Sequence, residues 1–371
     1  MKSIVLAAAA ALIVGSGAMA QSGLPQGASL ETAVEGLEHP WALAFLPDGG
    51  MLLTEKPGRL RRITPDGALV GTPVAGTPDV LYSGQGGLLD VVLHPEFETN
   101  ALVYLTWSEG ERRDNTLKLG RGRLDGGALV DFEEIFAAQP NRPTDVHYGA
   151  RLAFLPDNSL LLGIGDGFDL REQAQRPGNH YGAFVRLSEA GAPFPSEVEG
   201  GAPGVYTFGH RNPQAVVFDP ATGDLWAHEH GPAGGDEINR LEPGANFGWP
   251  IATHGVNYTG ALVTPFEDYP GMTAPVLHWT PSIAPAGMAI YRGEMFPEWE
   301  GDLLVAALIA GDAPGGSGHI RIVDLDAGAV AGQSILLDDL GRRFRDVRVA
   351  PDGSIYALTD HADGAVLRIS R

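Results

Sequence analysis

Short apolar runs broken by proline-centred turns recur along the chain. In each copy an apolar strand meets a tight turn and a second apolar strand leads away, the pattern of a β-hairpin. The first copy is Trp41 to Phe45, the turn Leu46-Pro47-Asp48-Gly49, then Met51 to Leu53. The second runs Leu88 to Leu93, His94-Pro95-Glu96, Leu102 to Leu105. The third is Leu152 to Phe154, Leu155-Pro156-Asp157-Asn158, Leu160 to Ile164. The fourth is Ala215 to Phe218, a turn at Pro220, Leu225 to Ala227, and the fifth is Met288 to Tyr291, a turn at Pro297, Leu303 to Leu308. The last is Val347 to Val349, Ala350-Pro351-Asp352-Gly353, Ile355 to Leu358.

A third strand-like piece follows most copies, at Arg59 to Ile63, Phe184 to Leu187, Ile238 to Leu241, His319 to Val323 and Val366 to Ile369. The turn prolines lie 48 to 77 residues apart, the period of a propeller blade with loops of varying length. No long segment has a 3.6-residue period, and 51 Gly with 28 Pro in 371 residues provide many turns. The pattern predicts an all-β fold, a six-bladed β-propeller with four-stranded antiparallel blades. Ring closure assigns Leu30 to Val34 as an outer strand on the last blade.

The N-terminus reads differently. Lys2, an apolar run to Val14 and the small-residue end Ala18-Met19-Ala20 form a secretory signal peptide, residues 1–20, with cleavage expected after Ala20. The run is too short for a membrane span, which needs about 20 residues. Residues 21–371 are then one propeller domain, and the expected location is periplasmic or secreted.

Composition narrows the chemistry. The chain has no cysteine, which excludes disulfides, thiolate metal sites, cysteine nucleophiles and iron–sulfur clusters. With 44% hydrophobic residues it can build a large core instead. Its 25 basic and 46 acidic residues give a net charge of −21, which argues against nucleic acid and anionic membranes as partners. Arginines that converge in so acidic a chain point to a specific anionic ligand.

The repeat places them. Residues just before each first strand and just after each second strand fall on one face of a propeller, around one mouth of its channel. That ring contains His39, Glu55, Gln85, His147, Asp166, Arg211, Asn212, His230, Ser282, Arg343, Arg345 and Asp360. His147 suits a general base, because an imidazole titrates near neutrality. Asp145, two residues before it, would either orient it or serve the turn. Arg211, Arg343 and Arg345 suit carboxylate recognition, since guanidinium presents a planar fork. Arg343 and Arg345 share a face of an extended segment. Gln85, inside Gly84-Gln-Gly-Gly87, can donate and accept where the backbone comes close. The stretch His230-Gly231-Pro232-Ala-Gly-Gly-Asp236-Glu237 offers carbonyls and carboxylates to a hard cation. No two histidines have zinc-like helical spacing.

Several strings resemble the soluble quinoprotein glucose and aldose-sugar dehydrogenases: GQGGLLDVVLHPEF from Gly84, HYGARLAFLPD from His147, FGHRNPQAVVFDP from Phe208, EHGPAGGDEIN from Glu229, ANFGWP from Ala245, PSIAPAGMAIY from Pro281 and RFRDVRVAPDG from Arg343. They occur in order and span nearly the whole chain after residue 20. The resemblance is strongest to the aldose-sugar branch. It implies a six-bladed propeller that binds pyrroloquinoline quinone (PQQ) and Ca2+ at the channel mouth and oxidises aldose sugars at C1 to lactones. It makes His147 the base for the C1 hydroxyl and Arg211 the cation beside the quinone oxygens. Gln85 and Asn212 become cofactor hydrogen-bond partners, and Arg343 and Arg345 the grip on its carboxylates. The carbonyls of Gly231 and Pro232 would hold the catalytic calcium. Glu237, the backbone of Phe247 and Tyr258 would hold a second, structural one. An external electron acceptor (quinone, cytochrome or dye) is required, since no haem motif is present.

One departure stands out. Many relatives carry a lysine soon after the second strand of the fifth repeat, but Ala306 to Gly318 contains no basic residue. One charged contact to the cofactor is therefore expected to be missing. Other readings are a calcium-dependent sugar lactonase, a sorbosone-type dehydrogenase, or a non-catalytic exported propeller that binds a sugar or protein. The lactonase would need several carboxylates converging in the channel.

Overall fold

The computed structural model describes residues 23–371. The expected signal peptide therefore lies outside the described residues. Among them, no helix is long and apolar enough to cross a membrane. The strands form six antiparallel sheets, five of four strands and one of three. The innermost strands are Pro40–Phe45, Leu88–Leu93, Gly149–Phe154, Pro213–Phe218, Pro285–Ile290 and Phe344–Val349. Each neighbours the next and the last returns to the first, so the sheets are blades of a closed ring. In five blades the chain runs outward from the innermost strand in sequence order. The sixth completes itself with a strand from the start of the chain.

Burial explains why apolar runs, not alternating patterns, marked the inner strands. The second strands Met51–Glu55, Leu160–Ile164, Leu225–Glu229 and Leu303–Ala307 are buried at every position. Both of their faces pack against neighbouring blades, as in a sheet covered on two sides. One apolar cluster joins Trp41, Leu52, Leu105, Leu152 and Val185 across three blades. Outermost strands such as Ala329–Leu336 are mostly exposed and carry little apolar signal.

The ring closes as the pattern predicts. Ser29–Leu37 pairs antiparallel with Gly364–Ser370, with Leu30 opposite Ile369. The first blade departs from the expected four strands. Beyond Arg59–Ile63 only isolated bridges form, at Leu69 and Val74. The intervening Gly71-Thr72-Pro73 includes a residue with no N–H to donate to a ladder.

The channel is plugged by Arg151. Its guanidinium lies 3.9 Å from the Trp41 ring centre, pairs with Asp90 at 3.3 Å and Asp346 at 3.2 Å, and donates to the Gln214 carbonyl at 3.1 Å. One buried side chain thereby ties strands from the first, second, fourth and sixth blades to the third.

Candidate active site at the channel mouth

Register puts the site together. Pro213 opposes Glu229, Gly149 opposes Ile164 and Phe344 opposes Thr359. The entrance of each innermost strand thus sits beside the exit of its second strand. Gln85, Asn212, His230, Arg343, Arg345 and Asp360 come together from three blades around a cavity of about 360 Å³. Trp41, Leu89 and Tyr148 give it apolar surface. A neighbouring cavity of about 340 Å³ has Arg211, Pro232, Trp249, Phe168 and Tyr258 in its walls.

His147 touches the linings of both. Its backbone N–H donates to Gln85 Oε1 at 2.7 Å, and its ring meets the edge of Phe168 at 5.1 Å between centres. Its Nδ1 lies 2.7 Å from Asp166 Oδ1. Asp166 is fully buried, and its other oxygen accepts from Trp249 Nε1 at 2.8 Å. Burial would raise the Asp166 carboxyl, but the hydrogen bond and charge of His147, then Arg211, leave it lowered. His147 is itself lowered, by burial first and by the charges of Arg211 and Arg142, against the opposing pull of Asp166. The pair is therefore carboxylate and neutral imidazole at pH 7. An ionised Asp166 only accepts, so Nδ1 carries the proton and Nε2 is the basic nitrogen.

Of the two roles open to Asp145, the structure selects the turn. Asp145 accepts from Ser83 Oγ at 2.7 Å and from Arg112 Nε at 2.8 Å, which is turn chemistry. Asp166 lies 19 residues after His147 and reaches it through the hairpin register. Gly165 makes this approach possible: a Cβ there would run into the His147 carbonyl and lie 3.1 Å from Asn212 Oδ1.

Arg211 is held among carbonyls and rings. Nη1 donates to Gly231 O at 2.6 Å and His230 O at 3.1 Å, and the guanidinium lies 5.3 Å from the Trp249 ring centre. Its backbone N–H donates to Glu229. Gly231 in turn donates to Asp236 Oδ1 at 2.9 Å, and Asp236 Oδ2 accepts from Ser282 Oγ and the amides of Ile283 and Ala284. Asp236 thus fixes the Gly231-Pro232 turn against the fifth blade. His230 Nε2 donates to Pro285 O at 2.7 Å, and burial with the Arg211 charge keeps the ring neutral.

On the far wall Arg345 Nη2 pairs with Asp360 at 2.7 Å and Arg343 Nη2 at 3.4 Å. Burial opposes ionisation of Asp360, but Arg345, Arg343 and Lys56 pull it far below the usual carboxylate range. Lys56, which the sequence reading passed over, lines the same cavity. It stands one residue beyond Glu55, at the repeat position of His230 and Asp360. Extending the register by that residue would have found it. Glu55 itself is not on the cavity wall: it is buried and paired with Arg59 at 2.6 Å and Arg61 at 3.2 Å.

The residues expected around a second metal separate. Glu237 and Phe247 line one small cavity of about 10 Å³, together with Glu267 and Asp268. Burial and the neighbouring Glu229 raise the Glu237 carboxyl well above its ordinary value. Tyr258 is elsewhere. It is 66% exposed, its hydroxyl accepts from Arg211 Nη2 at 3.3 Å, and its ring stacks near Phe168 at 6.4 Å. Its long connection carries it to the mouth, so it belongs with Arg211 and not with Glu237.

Fold and site define a six-bladed propeller whose channel mouth bears a carboxylate-oriented imidazole and a cluster of cations. The chain belongs to the glucose/sorbosone dehydrogenase family, whose model matches residues 37–368. It is accordingly an oxidoreductase by class. It is 38% identical over 357 residues to the aldose sugar dehydrogenase YliI of Escherichia coli strain K12, covering 93% of this chain and 94% of that protein. It is 27% identical over 413 residues to quinoprotein glucose dehydrogenase B of Acinetobacter calcoaceticus, covering 88% and 84%. Among solved structures, the PQQ-bound aldose sugar dehydrogenase of Streptomyces coelicolor superposes with a TM-score of 0.73 at 27% identity, covering 93% of this chain and 99% of that one.

Proposed function

We propose that the protein oxidises the C1 hydroxyl of aldose sugars to the lactone, with PQQ and calcium bound at the channel mouth, in the periplasm or outside the cell. The mature enzyme is residues 21–371 as one domain. The observation that carries this reading is a buried, neutral His147 oriented by Asp166 beside a cavity whose lining holds Lys56, Arg343 and Arg345 against the single carboxylate of Asp360. In a chain of net charge −21 that local excess of cations calls for an anionic ligand.

The residues suit a flat tricarboxylate. Arg343 and Arg345 offer forks to its carboxylates, and Trp41 and Tyr148 offer aromatic surface. Arg345 Nε is buried without a hydrogen-bond partner among the described residues. For the catalytic calcium the protein offers carbonyls at Gly231 and Pro232 and no adjacent trio of carboxylates and histidines among the described residues. Oxygen donors of this kind would suit a hard cation, although the Gly231 carbonyl accepts from Arg211 Nη1 at 2.6 Å in the free protein. For the second calcium, Glu237 is a buried carboxylate whose neighbouring charges, Glu229 and Asp236, are carboxylates, beside a void of about 10 Å³, and a cation would relieve that repulsion.

In the reaction His147 Nε2 takes the proton of the C1 hydroxyl, and Asp166 steadies the imidazolium that forms. Arg211 places fixed positive charge where negative charge develops. Gln85 holds the His147 backbone in place, and Gln85 and Asn212 present amides to the cavity. When bound, PQQ would supply the acceptor for the C1 hydride and calcium a Lewis acid beside it. An external quinone, cytochrome or dye would be the final electron acceptor. The lactonase reading is not favoured, because among the described residues Asp360 is the only acidic one lining the central cavity and it is engaged by arginines.

The test uses mature protein purified without cofactor. Adding PQQ, calcium and glucose should produce dye reduction that needs both additions, and His147→Ala should lower kcat by about 10²- to 10⁴-fold. Dye reduction unchanged in His147→Ala would remove the base. No reduction with any aldose, despite bound PQQ, would remove the reaction.

A further inference from the structure

Lys56 is pinned by its backbone, and its ammonium makes no direct ion pair among the described residues. Its N–H donates to His39 O at 3.1 Å and its carbonyl accepts from Leu88 N at 3.0 Å, which locks it between the first two blades. Gly87 packs against that backbone so closely that a Cβ there would collide with the Lys56 carbonyl. The half-buried side chain points into the central cavity. The nearest polar contact of its ammonium is Gly84 O at 3.4 Å, and the Tyr82 ring centre is 5.7 Å away. Asp360, the one carboxylate in the lining among the described residues, is taken by Arg345 and Arg343 and is 3.7 Å from His39 Nδ1.

A partly desolvated ammonium that must share the single charge of Asp360 with two guanidiniums is unfavourable in the free protein. It becomes favourable when a ligand brings the missing negative charge. The fifth blade offers none of the cavity's cations: Leu308 forms its wall there, and the run to Gly318 has no basic residue. We propose that Lys56, from the first blade, is the third cation of the cofactor grip and binds a carboxylate of PQQ alongside Arg343 and Arg345. The inference rests on the PQQ reading above. It accounts for the absent fifth-blade lysine by supplying the charge from another blade.

Titration supports the geometry. Burial, then Arg345, with Arg343 adding and Asp360 opposing, lowers the Lys56 ammonium to about 8. His39, His230, Tyr82 and Tyr148 are the other titratable groups around it. The free protein therefore sheds this charge as pH rises through about 8, and an anionic ligand must restore the proton in order to bind.

The experiment is a direct titration of apo-protein with PQQ at fixed calcium, followed by tryptophan fluorescence, from pH 6.5 to 9.5. Lys56→Met should weaken binding by about 10- to 100-fold near pH 7, and Lys56→Arg should restore most of it. Wild-type affinity should fall as pH rises past Lys56's value, and the affinity of Lys56→Arg should not. Thermal melts check that both variants fold. Equal affinity of Lys56→Met and wild type overturns the inference and leaves the cofactor reading standing, as does an identical pH dependence of wild type and Lys56→Arg. No PQQ binding by the wild type overturns both.

Discussion

At the scale of single residues, the acid–base pair is the most testable feature. His147 is neutral because burial and two arginines outweigh Asp166, so activity should hold down to pH below the ordinary histidine value of about 6.5. The sign for Asp166→Asn follows from the same balance. The carboxylate is the group that favours imidazolium. Without it the remaining influences push His147 further down, so the acid limb of kcat should move to lower pH. The rate at the plateau should fall by about 10²-fold or more, because the proton is no longer held at Nδ1. A kcat–pH profile that keeps both plateau and limb would show that Asp166 only packs. His147 was legible as a polar, titratable residue at a strand entrance. Its partner was not, because two aspartates flank it in sequence and only the register between Gly149 and Ile164 selects the distant one.

At the scale of elements, each hairpin delivers its chemistry at one end and its turn at the other. The strand that carries no chemistry, Ser29–Leu37, holds the ring shut. It covers the edge of Gly364–Ser370 and buries Val34 and Leu37 against Leu358 and Val366. Removing residues 21–37 should expose that edge to other chains and lower Tm by at least about 5 °C, read by calorimetry together with aggregation on heating. An unchanged Tm would mean the ring holds without its clasp. This strand was legible through ring closure, since six repeats left the last blade one strand short. The truncated edge of the first blade was not legible, because outer strands are solvent-facing and their apolar signal is weak.

At the scale of the whole molecule, the propeller is centred on Arg151. A buried cation shared by Asp90 and Asp346 joins blades that have no sequence neighbourhood. Arg151→Met keeps the volume but leaves two buried carboxylates to share Arg348 as their one remaining cation among the described residues. It should cost about 3–5 kcal/mol in denaturant unfolding, and a companion Asp90→Asn should return part of that loss. A change below about 1 kcal/mol would mean water replaces the guanidinium. Nothing in the local sequence singles Arg151 out, because its partners lie about 60 and 195 residues away along the chain.

The sequence by itself determined the repeat, the all-β class, the number of blades, the closing strand and the face on which polar residues gather. These are periodic properties, written locally in apolar runs and prolines. Resemblance then named the family, which the comparisons establish. Only the tertiary structure decided which polar residues meet: Asp166 with His147, Lys56 with Arg343 and Arg345, and Tyr258 with Arg211 rather than Glu237. Those pairings depend on cross-strand register and on the closure of six blades around one axis. Both are set by packing over the whole ring, which no local stretch of the chain records.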